Sequence, residues 1–182
     1  MTSVKTFGVF WDIENFVYHR DENTGLIVLE KKLATARLIL EALPKYMQGF
    51  GFAPVMEWHL VFANRKLPPQ FSLLLLEYGY HVYLTRSTQP NAADIEFHKA
   101  VKGVRKGRRP PLPDHMCLIT GDNGFFRLIQ NMRRLQCQEV WGFNWSRQKT
   151  GMVLIYGNQK TWGFDKFVSF GKLIFGEEID IS

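Results

Sequence analysis

Short apolar runs alternate with longer stretches of helical spacing along this chain, and that alternation limits the fold more than any other feature. Val4 to Trp11 is β-branched and aromatic and ends at an acid, which predicts a first strand. Leu29 to Tyr46 repeats apolar residues at helical spacing, with Leu33, Ala36, Leu40 and Leu43 on one face. Val55 to Ala63 predicts a second strand. Pro68-Pro69 opens a helix through Glu77, because proline is tolerated in a first turn, and Gly79 closes it. Tyr80 to Thr85 predicts a third strand, and Asn91 to about Arg105 a helix. Lys106 to Asp114 reads as a linker, interrupted by Gly107, Pro110, Pro111 and Pro113. His115 to Thr120, Asn123 to Leu135 and Gln138 to Phe143 predict strand, helix and strand. After Asn144 the pattern weakens.

Strand and helix in strict alternation imply an α/β chain: a mainly parallel sheet of about five strands with helices on both faces. In such sheets ligands sit at the carboxyl ends of the strands, where the strand order reverses. A chain of 182 residues is long enough for one full core, and no repeat or second domain is evident. Residues 146–182 are expected to pack on the same domain as a C-terminal appendage. With 46% hydrophobic and 22% charged residues, the composition argues against disorder and coiled coil. Apolar stretches as short as Leu73 to Leu76 predict no membrane span, and Asp12 arrives before a signal-peptide core could form. Cytoplasm is therefore the default expectation. Cys117 and Cys137 are too few for a disulfide framework or a four-thiolate zinc site and are expected as buried thiols.

Three segments put an acid at a strand end or helix start. Asp12 ends the first strand in Phe10-Trp11-Asp12-Ile13-Glu14-Asn15. Asp94 opens a helix in Asn91-Ala92-Ala93-Asp94, and Asp122 joins strand to helix in Thr120-Gly121-Asp122-Asn123. Each has an ordinary explanation: Asn91 with Asp94 resembles a capping box, Asp122 suits a helix cap, and Asp12 suits a turn. Strands one and four are commonly neighbours, so the three acids are expected at one rim. Carboxylates gathered there repel one another unless a cation neutralises them, and all-oxygen ligation suits Mg²⁺ or Mn²⁺.

Val9-Phe10-Trp11-Asp12-Ile13-Glu14-Asn15, Asn91-Ala92-Ala93-Asp94 and Leu118-Ile119-Thr120-Gly121-Asp122 resemble the three signature blocks of NYN domains, of the PIN-like nuclease superfamily. Order and spacing agree, and the resemblance covers residues 4–145, so residues 1–145 are expected as the NYN domain. It implies an α/β/α sandwich and hydrolysis of RNA phosphodiester bonds by water activated at Mg²⁺ or Mn²⁺. Asp12, Asp94 and Asp122 would be the catalytic, metal-holding acids, with Asn15, Thr120 and Asn123 as auxiliary polar groups. Products with 5′-phosphate and 3′-hydroxyl ends would follow. Two departures stand out: Gly124 replaces a further acid that many NYN domains carry, and Ala63-Asn64 ends strand two where relatives often carry one. Three carboxylates suit one ion better than two. Glu14 and Glu96 flank the motifs, and their phase points them away from the rim.

The chain carries 23 basic and 17 acidic residues, net +6, which suits a polyanionic partner. Lys99, Lys102, Arg105, Lys106, Arg108 and Arg109 lie in one acid-free stretch. This is either a solvated helix end with its linker or a phosphate-binding arm for single-stranded or structured RNA. Arg133, Arg134, Arg147 and Lys149 are candidates to extend it. His98, one helical turn after Asp94, is more readily structural than catalytic. Trp141, Phe143 and Trp145 alternate onto one side and are expected beneath the appendage. The aromatic segment Trp162 to Phe175 either covers the core or meets a protein partner or second copy. The rival to a nuclease is a weak or inactive scaffold that binds RNA, favoured by Gly124. A hydrolase for small phosphoesters fits less well, since it needs no extended cationic surface.

Overall fold

The computed structural model describes residues 4–20, 24–85, 89, 92–120, 123–145 and 164–178. Six strands form one sheet: β1 (Thr6–Trp11), β2 (Ala53–Asn64), β3 (His81–Thr85), β4 (His115–Ile119), β5 (Glu139–Asn144) and β6 (Lys166–Ser169). Their order is β3-β2-β1-β4-β5-β6, and every neighbouring pair is parallel. The helices are α1 (Ile13–Tyr18), α2 (Leu29–Gln48), α3 (Pro69–Glu77), α4 (Ala92–Arg105), α5 (Phe126–Arg134) and α6 (Phe170–Phe175). A 3₁₀ turn, Asn123–Phe125, precedes α5.

Right-handed crossovers explain the layers. The chain steps from β1 to β2 to β3 in one direction, so α1, α2 and α3 fall on one face. It then returns past β1 to β4 and on to β5, so α4 and α5 fall on the other. The alternation of β1 feeds both layers. Phe7, Val9 and Trp11 join the core with Ile39, Leu43 and Phe71, whereas Phe10 joins Phe97, Val101 and Leu128. Gly8 lies where the β1–β2 register shifts between Phe7 and Val9. A Cβ there would stand 2.7 Å from the Cβ of Trp58, so the position admits no side chain without movement.

The sixth strand differs from the expected count of about five. β6 is only four residues long, too short to show a period, and it pairs with β5 from Trp141–Lys166 to Asn144–Ser169. Trp141, Phe143 and Trp145 are fully buried, under α2 and α6. The ring of Trp145 stacks on Phe16 at 5.0 Å and meets Phe170 edge-on at 5.1 Å. Cys117 and Cys137 are free, buried thiols, and burial pushes Cys137 up to about 12. No helix among the described residues is long and apolar enough to cross a membrane.

Candidate active site

β1 occupies the middle of the sheet, and its carboxyl end is where the strand order reverses. On one side the chain proceeds to β2; on the other lies β4, reached only after β3 and α4. Side chains at the ends of β1 and β4 therefore face a crevice that no crossover helix closes. Asp12 and Thr120 stand there, one residue beyond their strands. The Asp12 N–H donates to the Ile119 carbonyl at 2.9 Å, which carries the β1–β4 ladder to the edge. The Thr120 hydroxyl donates to Oδ2 of Asp12 at 3.1 Å. Asp12 is 9% exposed and Thr120 4%.

Asp12 also begins α1, a short helix at a position where the sequence alone suggests a turn. Its Oδ1 accepts from the Asn15 N–H at 3.5 Å and its carbonyl from the Phe16 N–H at 3.4 Å. The local signal for a helix is present: Asp at the cap and Glu14 in the first turn. Asn15, expected as an auxiliary polar group, supplies its backbone amide to this cap while the residue itself is exposed. Glu14 reaches the end of β2, where its carboxylate accepts from the Asn64 N–H at 2.9 Å. Its phase along the chain hides this placement. In space Glu14 brings an acid to the strand end where Ala63-Asn64 offers none.

Asp94 lies in the first turn of α4 and is half-buried. Because β3 and β4 are parallel, α4 must start at the carboxyl edge and run back to the amino edge. One turn below Asp94, Phe97 stacks on Phe10 at 4.8 Å and meets Phe125 at 5.7 Å. Phe97 thus ties the start of α4 to the end of β1 and to the turn after β4, and Asp94 lies at the carboxyl edge of the sheet. Asp122 lies outside the described residues, as do Asn91 and the side chain of Asn123. Among the described residues no group of three His, Cys, Asp or Glu side chains gathers closely enough to hold a metal ion. The donors that are described at the rim, Asp12, Asp94 and the Thr120 hydroxyl, are all oxygen. Oxygen donors are the chemistry that a hard dication takes, and none of these is a soft ligand of the kind zinc prefers.

The family model of the NYN domain matches residues 6–160. The chain belongs to the NYN domain family. NYN domains are part of the PIN-like nuclease superfamily, and the parallel α/β/α sandwich agrees with that fold. The structure is also similar to the crystal structure of a protein of unknown function from Vibrio parahaemolyticus. The two share 18% identity at a TM-score of 0.55, over 93% of this chain and 96% of that one. At that identity the likeness concerns the fold. No curated protein matches the chain significantly.

In this NYN domain the basic stretch is divided between the two sides of α4 and the loop that follows it. Lys99 forms an ion pair with Glu96 at 2.6 Å and turns toward β3, where both line a cavity of about 680 Å³ with Tyr83, Leu84 and Ile95. Lys102 and Arg105 lie on the side of α4 that faces α5. Lys106 and Arg108 follow α4 at the amino edge, whereas Arg109 turns back along α4 and lines the same cavity as Lys99. The Arg109 guanidinium lies 5.6 Å from the Trp58 ring centroid. The linker is anchored by the Trp58 indole N–H, which donates to the Pro111 carbonyl at 2.9 Å, and by Asp114, which accepts from Thr6. Arg133 is held by Asp165 through contacts of 3.0 and 3.1 Å, whereas Arg134 is exposed beside α4. Arg147 and Lys149 lie outside the described residues. His98 is half-buried, and its pKa is lowered by burial first and by Lys102 and Arg127 second. Arg127 gives no signal in the sequence, where it stands alone between apolar residues.

Proposed function

We propose that this NYN domain is a metal-dependent endoribonuclease that hydrolyses RNA phosphodiester bonds. The observation that carries the reading is the buried Asp12 carboxylate at the switch point, oriented by Thr120 from the neighbouring strand. Membership in a family of the PIN-like nuclease superfamily supports the same reaction class. Asp12, Asp94 and Asp122 are the residues proposed to hold one Mg²⁺ or Mn²⁺. Such an ion supplies Lewis acidity and offsets charge on the phosphoryl oxygens.

The chain's own groups do the positioning. The Thr120 hydroxyl fixes one Asp12 oxygen, and the α1 amide at Asn15 turns the other. Burial keeps bulk water from screening that charge. Asp94, on a different element, completes the acidic rim and orients the attacking water. Water oxygen bonds to phosphorus as the bond to the 3′ oxygen breaks. The water proton leaves to solvent, and the 3′ oxygen gains one to become a hydroxyl. The fragments end in 5′-phosphate and 3′-hydroxyl.

Gly124 supports a second reading, an RNA-binding module with weak or no catalysis, since it stands where many relatives carry an acid. The two readings part in one assay: single-stranded and structured RNA incubated with Mg²⁺, Mn²⁺ or EDTA, beside Asp12→Asn and Asp122→Asn. The nuclease reading expects EDTA-sensitive cleavage that falls at least about 100-fold in either variant. Full metal-dependent cleavage by Asp12→Asn overturns the site. Binding of RNA with no EDTA-sensitive cleavage moves the protein to the second reading.

A further inference from the structure

α4 and α5 lie side by side on one face of the sheet, and both run from the acidic rim toward the amino edge. On α4, His98, Lys102 and Arg105 follow Asp94 at steps of four, four and three residues, which keeps them on one helical stripe. On α5, Arg127, Asn131 and Arg134 repeat the steps of four and three. At their ends away from the rim the two stripes face each other across a groove of about 460 Å³. Its walls are Lys102, Arg105, Asn131 and Arg134, and Val101 and Leu135 form its floor.

The charge in this groove is one-sided. After Glu96 neither helix carries an acid. Lys102, Arg105, Arg127 and Arg134 form no ion pair among the described residues, while Lys99 and Arg133 nearby are neutralised by Glu96 and Asp165. Lys102 and Arg127, on opposite helices, both act on His98, so the positive field converges between them. At about 1.5 Å per residue, the stripe from Asp94 to Arg105 extends roughly 16 Å. That length suits a chain of phosphates better than a single small anion.

We propose that the α4–α5 groove is the track along which the sugar–phosphate backbone of single-stranded RNA leaves the acidic rim. The apolar floor accommodates sugar or base, and the flanking cations take the phosphates, a combination typical of single-strand binding. The assignment of RNA as ligand rests on the proposed nuclease reading. The path itself rests on the two stripes and the one-sided charge between them.

The test is fluorescence anisotropy with a labelled single-stranded RNA in EDTA, so that no cleavage is required, repeated over a range of salt. The Lys102→Gln/Arg105→Gln/Arg134→Gln variant is compared with wild type and with Arg37→Gln, which lies on the opposite face. The track predicts at least about tenfold weaker binding by the triple variant at low salt. Its slope of log affinity against log salt should be shallower by about 2, at roughly 0.7 for each phosphate no longer neutralised. Arg37→Gln should bind as wild type does. Unchanged affinity and slope in the triple variant overturn the track even if the protein cleaves RNA. Weakened binding in a protein that never cleaves leaves the track standing and removes the nuclease. Poly-glutamate competing as well as unlabelled RNA assigns the groove to an acidic protein partner and overturns the proposal. Thermal unfolding of the triple variant close to wild type shows that the fold is intact and that the binding change belongs to the substituted side chains.

Discussion

Asp12 serves the helix and the rim at once, and the two roles separate by substitution. Asn caps a helix about as well as Asp, so Asp12→Asn should fold with nearly wild-type stability; Asp12→Ala should lose about 1 kcal/mol in urea unfolding. Thr120→Val keeps the shape and removes the hydroxyl that donates to Asp12. It should slow metal-dependent cleavage about tenfold or more, read by initial rates, because a misoriented ligand weakens the whole set. A different residue adds a pH-dependent contribution to stability. His59 is 2% exposed, and neither ring nitrogen has a hydrogen-bond partner among the described residues. Burial, then His81, lowers its pKa from 6.5 to about 4. The unfolded chain therefore binds the extra proton between those values. The stability contributed by neutral His59 is present above about pH 6.5 and is lost as pH falls toward 4. Urea unfolding at pH 5 should show a loss on the order of 2 kcal/mol relative to pH 7, at about 1.4 kcal/mol per unit, and His59→Leu should flatten that slope.

At the scale of elements, length decides what the sequence discloses. The five longer strands and α2 to α5 carry enough residues to show a period of two or of about 3.6. α1, β6 and α6 have six, four and six residues, and their apolar positions serve the tertiary core before any local pattern. α1 is marked by its cap instead, and β6 by nothing local: a side chain just before it fixes its edge of the sheet. Asp165 accepts the Val140 N–H at 2.7 Å and grips Arg133 on α5. Asp165→Ala should cost about 1 to 2 kcal/mol, because it leaves a strand amide without its acceptor. Arg133→Ala should cost about 0.5 kcal/mol, as a partly exposed ion pair is worth little. Comparing the two by thermal unfolding checks which contact secures the edge.

Across the whole molecule, topology turns distant sequence blocks into one rim. The motif around Asp12 and the one ending at Thr120 can be joined on paper because strands one and four are expected as neighbours, and β1 and β4 do pair from Phe7–His115 to Trp11–Ile119. The state of the cations is not legible in the same way. Lys99 is neutralised within its own helix and Arg133 by a residue 32 positions away, so sequence proximity overstates one basic arm and hides the paired stripes of α4 and α5. Acids from separate elements are proposed to hold one hard dication at that rim. Titration with Mn²⁺, followed by the loss of the free-ion electron paramagnetic resonance signal, measures it without relying on turnover. One Mn²⁺ should bind per chain, be displaced by Mg²⁺, and be lost in each of Asp12→Asn, Asp94→Asn and Asp122→Asn. Mn²⁺ binding that none of the three substitutions weakens would contradict that proposal.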